Sequence, residues 1–392
     1  MSRTAFINGK LILADRVIEE TLVTDGDSIA AIGNEPHDVV VDLQGHYLSP
    51  GFVDIHVHGG GGADFMDLTP QAFRTVCATH LRHGTTSLTP TSTVSHTADY
   101  ATFLKLCRDL RNDAGGARIV GAHLYGPYFL PAARGCHPKL DYLTPVADDV
   151  GMLAEYGPGF PCSVTIAPEL ENAEALTRAC VERGLVVNVG HSHATFEQVE
   201  AAIGWGATHV DHLFCAMSDR ARLRQSQAFP MRGGVLEATL AFNALTTEVI
   251  ADGFHLADSL LRTATMLKGA DRLALVTDSM RAVDCPDGEY WFGPVDDGEL
   301  IRRCGDVGVT LDGTGLASGV MGMDHLVRTM ARATDAPLYE VIRMASLTPA
   351  RIIGLDEEIG SLAVGKRADL IVMNERLEII HVVQAGESIA VI

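Results

Sequence analysis

The sequence predicts an α/β protein: a (β/α)8 TIM barrel with a small β-sandwich built from both chain termini. Three observations predict it. Between residue 51 and about residue 350, short β-branched runs alternate with amphipathic stretches. Both ends of the chain read instead as short strands joined by turns. Histidines and acidic residues gather just after the alternating strands, on the side where such a barrel keeps its active site. A doubly wound open sheet is the competing arrangement, but no GxGxxG follows an early strand.

At the N-terminus, Asn8-Gly9 separates AFI from KLIL, and Asp25-Gly26 separates TLVT from DSIAAI. Both dipeptides favour two-residue hairpins. The C-terminal end repeats the style with ADLIVM (368–373), IIHVV (379–383) and SIAVI (388–392). Neither end is long enough for a core of its own. Residues 1–50 and 353–392 are therefore expected to pack as one sandwich, with the barrel, 51–352, inserted between them.

Within the barrel the strand candidates are FVDIHV (52–57), TTSLTP (85–90), RIVGAHL (118–124) and SVTIAP (163–168). LVVNVG (185–190), THVDHLF (208–214), TEVIADG (247–253) and LALVTD (273–278) complete them. Helices are expected over Pro70–His83, Ala98–Asn112, Asp148–Glu155, Ala173–Arg183, Phe196–Trp205 and Leu256–Lys268, with 215–246 helical only in part. Thr69 before Pro70 makes an N-cap and first-turn proline, and Gly84 and Gly184 are placed to stop their helices.

Composition bounds the function. Of 392 residues, 47% are hydrophobic and 20% charged, the balance of a soluble globular protein. A net charge of −20 argues against nucleic acid or an anionic membrane as partner, while a small anionic substrate needs only a few local arginines. Met1–Lys10 does not read as a signal peptide, and no run approaches the roughly 18 apolar residues of a membrane span. The eight cysteines are scattered without a CxxC pair, which points to reduced thiols and a cytoplasmic location.

The chemistry starts at SPGFVDIHVHGGGG (49–62). His56 and His58, two residues apart on a strand, project to the same side, and four glycines then leave the space beside them clear. The third strand ends in His123-Leu124-Tyr125-Gly126-Pro127, the fourth leads to Glu169, and the fifth to His191-Ser192-His193. The sixth carries Asp211-His212, the seventh ends in Asp252 and His255, and the eighth in Asp278. A random scatter of 16 histidines would not keep choosing this face. Neutral imidazoles with a carboxylate suit zinc or a similar divalent ion, which lowers the pKa of bound water to about 7. Asp278 has the character of the group that takes that water's proton. The plainer readings are an N-cap or turn role for Asp278 and core roles for His191 and His212.

Here the resemblance becomes specific. PGFVDIHVHGGGG (50–62), GPYF (126–129), GCHP (135–138) and VNVGHSHATFEQVEAAIGWGATHVDHLFCAM (187–217) resemble the amidohydrolase superfamily, and within it the N-acetylglucosamine-6-phosphate deacetylases. ADGFH (251–255), LVTDSM (275–280), PDGEYWFG (286–293) and SLTPARIIGLDEEIGSLAVGKRADLIV (346–372) extend the likeness nearly end to end. The resemblance implies a barrel with a β-sandwich, usually dimeric, that hydrolyses the acetamide of an amino-sugar phosphate. By position, His191 and His212 match the family's metal-binding histidines, Asp278 its catalytic aspartate, and His56 and His58 the HxH of binuclear members. His137 and His255 match residues that contact substrate and help polarise its carbonyl.

Two departures stand out. Tyr125 occupies the place of a glutamate metal ligand, so that HLEGP reads HLYGP, and a phenol with an ordinary pKa near 10 replaces a carboxylate poorly. Cys215, beside Ala216 in HLFCAM, stands where the family has an asparagine near the sugar phosphate. One divalent ion, zinc by expectation, is therefore favoured over two, held by His56, His58, His191 and Asp278, with His212 left to polarise carbonyl or water. Tyr125, Cys215 and Ala216 are expected to meet the substrate along with His137 and His255. For an anionic group the candidates are Arg222, Arg224 and Arg232; the family draws an arginine from this region across its dimer interface, and Arg232 is the nearest match. The expected reaction is deacetylation of N-acetylglucosamine 6-phosphate by a homodimer. A different amide, cyclic amide or amino-substituted substrate, or a non-catalytic sugar-phosphate binder, is the alternative.

Overall fold

The computed structural model describes residues 2–140, 142–145, 160, 162–226 and 229–389. The helix expected over Asp148–Glu155 and the last three residues of SIAVI lie outside the described residues.

Parallel pairing runs from strand to strand through the middle of the chain. Phe52–Val57 and Thr85–Pro90 are buried along their whole length, as strands covered on both faces must be. They pair in parallel, with Thr85 opposite Phe52 and Pro90 opposite Val57. The run expected over 118–124 is divided: Arg118–Ile119 pairs with the second strand, and Ala122–Tyr128 pairs with Cys162–Ile166. A parallel bridge between Thr91 and His123 ties the two parts together. Val186–Val189, His209–Val210, Thr246–Val249 and Leu273–Leu275 follow, each parallel to the one before. The Asp278 amide donates to the His56 carbonyl at 2.8 Å, joining the exit of the last strand to the first.

Several strands stop short of their expected ends. His209–Val210 and Leu273–Leu275 end before the runs 208–214 and 273–278 do, and the last residue of each run, Phe214 and Asp278, is left-handed with φ of 77° and 43°. Helices occur at Pro70–Arg82, Thr97–Asp109, Ala173–Glu182, Phe196–Trp205 and Asp258–Lys268. Thr69 accepts from the Ala72 amide as the N-cap of the first, and Thr195 and Gln198 form a reciprocal capping box on the fourth. Among the described residues of 215–246, Arg220–Leu223 and Val235–Ala241 are helical. Met323–Ala333 and Leu338–Ala345 were not among the expected helices; Met323, Leu326, Val327 and Met330, at helical spacing, pack with Phe52, Leu273 and Leu275 in one apolar cluster. An antiparallel sheet of Gly288–Phe292, Glu299–Cys304 and Val307–Thr310 is inserted before them.

The termini build two sheets. One is N-terminal throughout; the other joins Lys10–Ile12, Val17–Glu19 and Tyr47–Pro50 to Leu370–Met373, Ile379–Gln384 and Glu387–Ile389. Phe6, Leu22 and Ile29 of the first sheet share an apolar cluster with Leu11, Leu48, Leu370 and Val383 of the second. Asp25-Gly26 forms its hairpin, but Asn8-Gly9 does not. Arg3–Ile7 pairs with Leu22–Asp25 and Val39–Asp42, so the Asn8-Gly9 turn passes the chain from one sheet to the other. A Cβ on Gly9 would lie 2.4 Å from Leu43 Cδ1, which shows how closely that crossing is packed.

Two features invite stability measurements. Gly126, within the strand Ala122–Tyr128, has φ +117°, and a Cβ there would lie 2.5 Å from the Val94 amide nitrogen. Gly126→Ala is expected to destabilise the fold by roughly 1–3 kcal/mol in urea denaturation, the cost of strain that neither backbone can relieve. Outside the strands, His83 Nδ1 lies 2.8 Å from Asp324 and its Nε2 3.0 Å from Asp284. Burial pulls its pKa down, but the two carboxylates outweigh burial and raise it to about 9. The contribution of charged His83 is thus complete below about pH 6.5 and lost as pH rises through 9. His83→Gln is expected to flatten the dependence of the thermal midpoint on pH across that window.

Candidate active site

Strand alternation places Asp54, His56 and His58 on one side of the first strand. The Nδ1 of His58 lies 3.1 Å from the Thr91 carbonyl, and the Nδ1 of His56 2.5 Å from Glu248 Oε1. A carbonyl and a carboxylate only accept, so both Nδ1 atoms carry the hydrogen and both Nε2 atoms face the site. Those Nε2 atoms are buried and have no hydrogen-bond partner among the described residues. Asp278 Oδ1 lies 3.5 Å from the first and 3.2 Å from the second. The donor atoms of His56, His58 and Asp278 all lie within 4.8 Å of one another, a set that fits a divalent ion.

Electrostatics point the same way. Burial disfavours charge on His56, but Glu248 and Asp278 outweigh it and raise its pKa to about 10. Burial likewise opposes the Asp278 carboxylate, and His56 and His58 overcome it, holding the group well below its usual range. The spot stabilises a cation, either a proton or a metal ion, and the two compete.

His191 and His212 form a second group. His191 Nδ1 donates to the Ala133 carbonyl at 2.8 Å, and its ring stacks on Phe129 at 4.0 Å. Its Nε2 lies 3.2 Å from His212 Nε2, which is 2.7 Å from the Tyr125 hydroxyl. Burial pushes His191 well below its usual pKa and the Tyr125 phenol well above, so both are neutral. The four ligands expected of one ion are therefore divided: His56, His58 and Asp278 converge, and His191 sits with His212 and Tyr125.

Both groups open onto a cavity of about 160 Å³, lined by Tyr125, His191, His212 and Asp278 together with His137, His255, Cys215 and Ala216. Burial holds His137 neutral. It also opposes charge on His255, whose Nδ1 lies 2.7 Å from Asp252; that carboxylate prevails and raises the His255 pKa. Burial lifts the Cys215 thiol to about 12. Among the described residues no lysine or arginine lines the cavity. Arg222, Arg224 and Arg232 are exposed, and Arg232 lies 3.8 Å from the Glu197 carboxylate. Glu169 does not line it either: its carboxylate accepts from the Ser192 hydroxyl at 2.6 Å and braces the loop that carries His191.

Sequence reasoning missed Glu248. Its Oε1 accepts from His56 Nδ1 and, at 3.2 Å, from the His212 amide, while Oε2 faces His209 Nε2 at 3.2 Å. One carboxylate thus fixes a histidine from each group. The available signal was its parity with Ile250, which lines the cavity, and Asp252 along the seventh strand. Beneath the site Asp211 accepts from Thr165 at 2.7 Å and from Asn188 at 2.8 Å. The antiparallel insert and the loop after it add Phe292 and Ser318 to the lining. His191, Ala216, Asp278 and Ser318 all have φ between 43° and 57°, strained backbone concentrated at one cavity.

The amidohydrolase family model matches residues 47–389. An N-acetylglucosamine-6-phosphate deacetylase of Lysinibacillus sphaericus is 32% identical over 370 residues, 91% of this chain and 90% of that protein. An N-acetylgalactosamine-6-phosphate deacetylase of Escherichia coli O157:H7 is 32% identical over 359 residues, 91% of each. Among solved structures, the N-acetylglucosamine-6-phosphate deacetylase of Pasteurella multocida superposes with a TM-score of 0.90 at 29% identity, over 99% of this chain and 100% of that one.

Glu248→Gln is expected to weaken divalent-metal affinity by about 10–100-fold, measured by competition with a chelator, because it loosens the orientation of His56. Glu169→Gln, whose target is a loop rather than a ligand, is expected to leave that affinity unchanged.

Proposed function

The chain belongs to the amidohydrolase family, and from that premise we propose that it removes the acetyl group of N-acetylglucosamine 6-phosphate, releasing acetate and the free amino sugar. One observation carries the reading: His56, His58 and Asp278 converge beside a cavity shared with His137, His191 and His212. The architecture that goes with it is a (β/α)8 barrel over 51–352 carrying a β-sandwich from 1–50 and 353–392. Successive parallel pairings and the hydrogen bond from Asp278 to His56 support the barrel. The sheet that mixes strands of both ends supports the sandwich.

The cofactor in this reading would be one divalent ion, zinc by the character of its donors, and His56, His58 and Asp278 would hold it. Such an ion, when bound, acidifies water to a pKa of about 7 and polarises a carbonyl oxygen. Asp278 takes the proton of the attacking water and returns it to the departing nitrogen. His137, neutral and facing the cavity, donates a hydrogen bond to the acyl oxygen. His255, braced by Asp252, and Cys215 with Ala216 meet the sugar. With no cation among the described residues that line its own cavity, the chain is read as a homodimer in which Arg232 completes the partner's pocket around the phosphate. Free thiols at Cys77, Cys136, Cys215, Cys285 and Cys304 support a reducing, cytoplasmic setting.

The galactosamine epimer is the second reading, favoured by the relative from Escherichia coli O157:H7. Acetate release from both N-acetylhexosamine 6-phosphates and from their unphosphorylated forms tests the proposal. N-acetylglucosamine 6-phosphate is expected to give the highest kcat/KM, and no acetate from any of them would overturn the reading. Asp278→Asn is expected to lower kcat by about 10²–10⁴-fold, the range for a lost proton-transfer group. Arg232→Ala is expected to raise KM for the phosphorylated sugar alone.

A further inference from the structure

We propose that Tyr125 takes the place of a second metal ion, and that its hydroxyl holds the substrate's acyl oxygen; the catalytic half of this rests on the deacetylase reading. The Nε2 atoms of His191 and His212 are 3.2 Å apart. Two nitrogens bound to one tetrahedral ion at about 2.0–2.1 Å lie roughly 3.3 Å apart, so this is a ligand pair by spacing. What the pair lacks is an acid. The Tyr125 hydroxyl, 2.7 Å from His212 Nε2, is where the third donor should be.

No other carboxylate among the described residues fills that role. Glu248 is committed to His56, His209 and the His212 amide, and Asp211 to Thr165 and Asn188. Asp278 belongs with His56 and His58. Two imidazoles and a phenol include no carboxylate whose negative charge would offset a dication lying close to the first ion's site. A dication loses its hydration on entering, and this group returns little for it.

The hydrogen bonds show what the phenol can do instead. His191 Nδ1 carries its hydrogen toward the Ala133 carbonyl, so its Nε2 is a bare acceptor. Among the described residues the buried His212 Nδ1 has no partner, which favours its hydrogen on Nε2, shared between His191 Nε2 and the Tyr125 oxygen. The phenolic hydrogen then has no protein acceptor among the described residues and is left for the cavity that Tyr125 lines. The ring is held on several sides, with centroids 4.6 Å from His56 and 4.5 Å from Phe129, and the Tyr125 amide donates to Ser92 Oγ at 2.8 Å. A donor fixed in this way is prepared for the charge that develops on a carbonyl oxygen under attack.

Counting ions in the zinc-loaded protein by elemental analysis tests the idea. The wild type and Tyr125→Phe are expected to hold one ion per chain, and Tyr125→Glu, which supplies the missing acid, two. Tyr125→Phe is also expected to lose about 10²-fold in kcat on N-acetylglucosamine 6-phosphate with KM little changed, the usual cost of one oxyanion donor. Two ions in the wild type, one ion in folded Tyr125→Glu, or unchanged kcat in Tyr125→Phe would each overturn the proposal. Should Tyr125→Glu not fold, the wild-type count and Tyr125→Phe still decide it. The count is made without substrate, so a failure of the deacetylase reading and a failure of this one are seen separately.

Discussion

Asp278, His56 and His58 bring a carboxylate and two imidazoles out of bulk water into one small volume, and much of the surrounding structure exists to make that tolerable. Burial opposes the charged form of both Asp278 and His56. The backbone is pinned first: the Asp278 amide reaches the His56 carbonyl, and its own carbonyl accepts from the Gly319 amide and the Ser318 hydroxyl. One residue earlier, the Thr277 hydroxyl donates to Asp54 at 2.6 Å, two positions before His56 on the facing strand. The last strand thus cannot shift along the first without breaking several bonds at once. Register between them is what sets the spacing of the donor atoms.

Behind the histidines lies a layer of polar groups that never reaches the cavity. Thr91, Glu248, Asp211, Asn188 and Thr165 are buried, and each is hydrogen-bonded. Buried polarity of this kind contributes little net stability, because desolvation offsets most of the Coulombic gain. Its return is orientation. A histidine whose Nδ1 is tied presents one defined nitrogen, and Glu248 does this for His56 while holding the backbone of His212. The second group gains its order differently, from the stacking of His191 on Phe129 and a carbonyl behind it.

Much of this was legible in the chain. Strand period brought His56 and His58 to one side, the ends of strands supplied His191, His212 and Asp278, and two strands begin and end where the apolar runs do. The illegible parts share a cause, which is that their energetics lie between segments distant in sequence. Asn8-Gly9 is a good local turn, yet pairing with Leu22–Asp25 and Tyr47–Pro50 outweighs a hairpin there. Glu248 reads as one charge in an apolar run until His56 is set opposite it. That His191 would part from His56 and join Tyr125 depends on ring packing, which composition and spacing do not encode.

The antiparallel insert has a consequence of its own. Gly288–Phe292 enters between the last parallel strand and the helices that close the fold, and it lends the cavity Phe292 without supplying any of the converging donor atoms. Floor and wall of the pocket therefore come from stretches that can accumulate change separately. Drift in the insert can reshape the wall while the converging donor atoms are inherited intact, an arrangement that lets one scaffold diversify its pocket over evolutionary time.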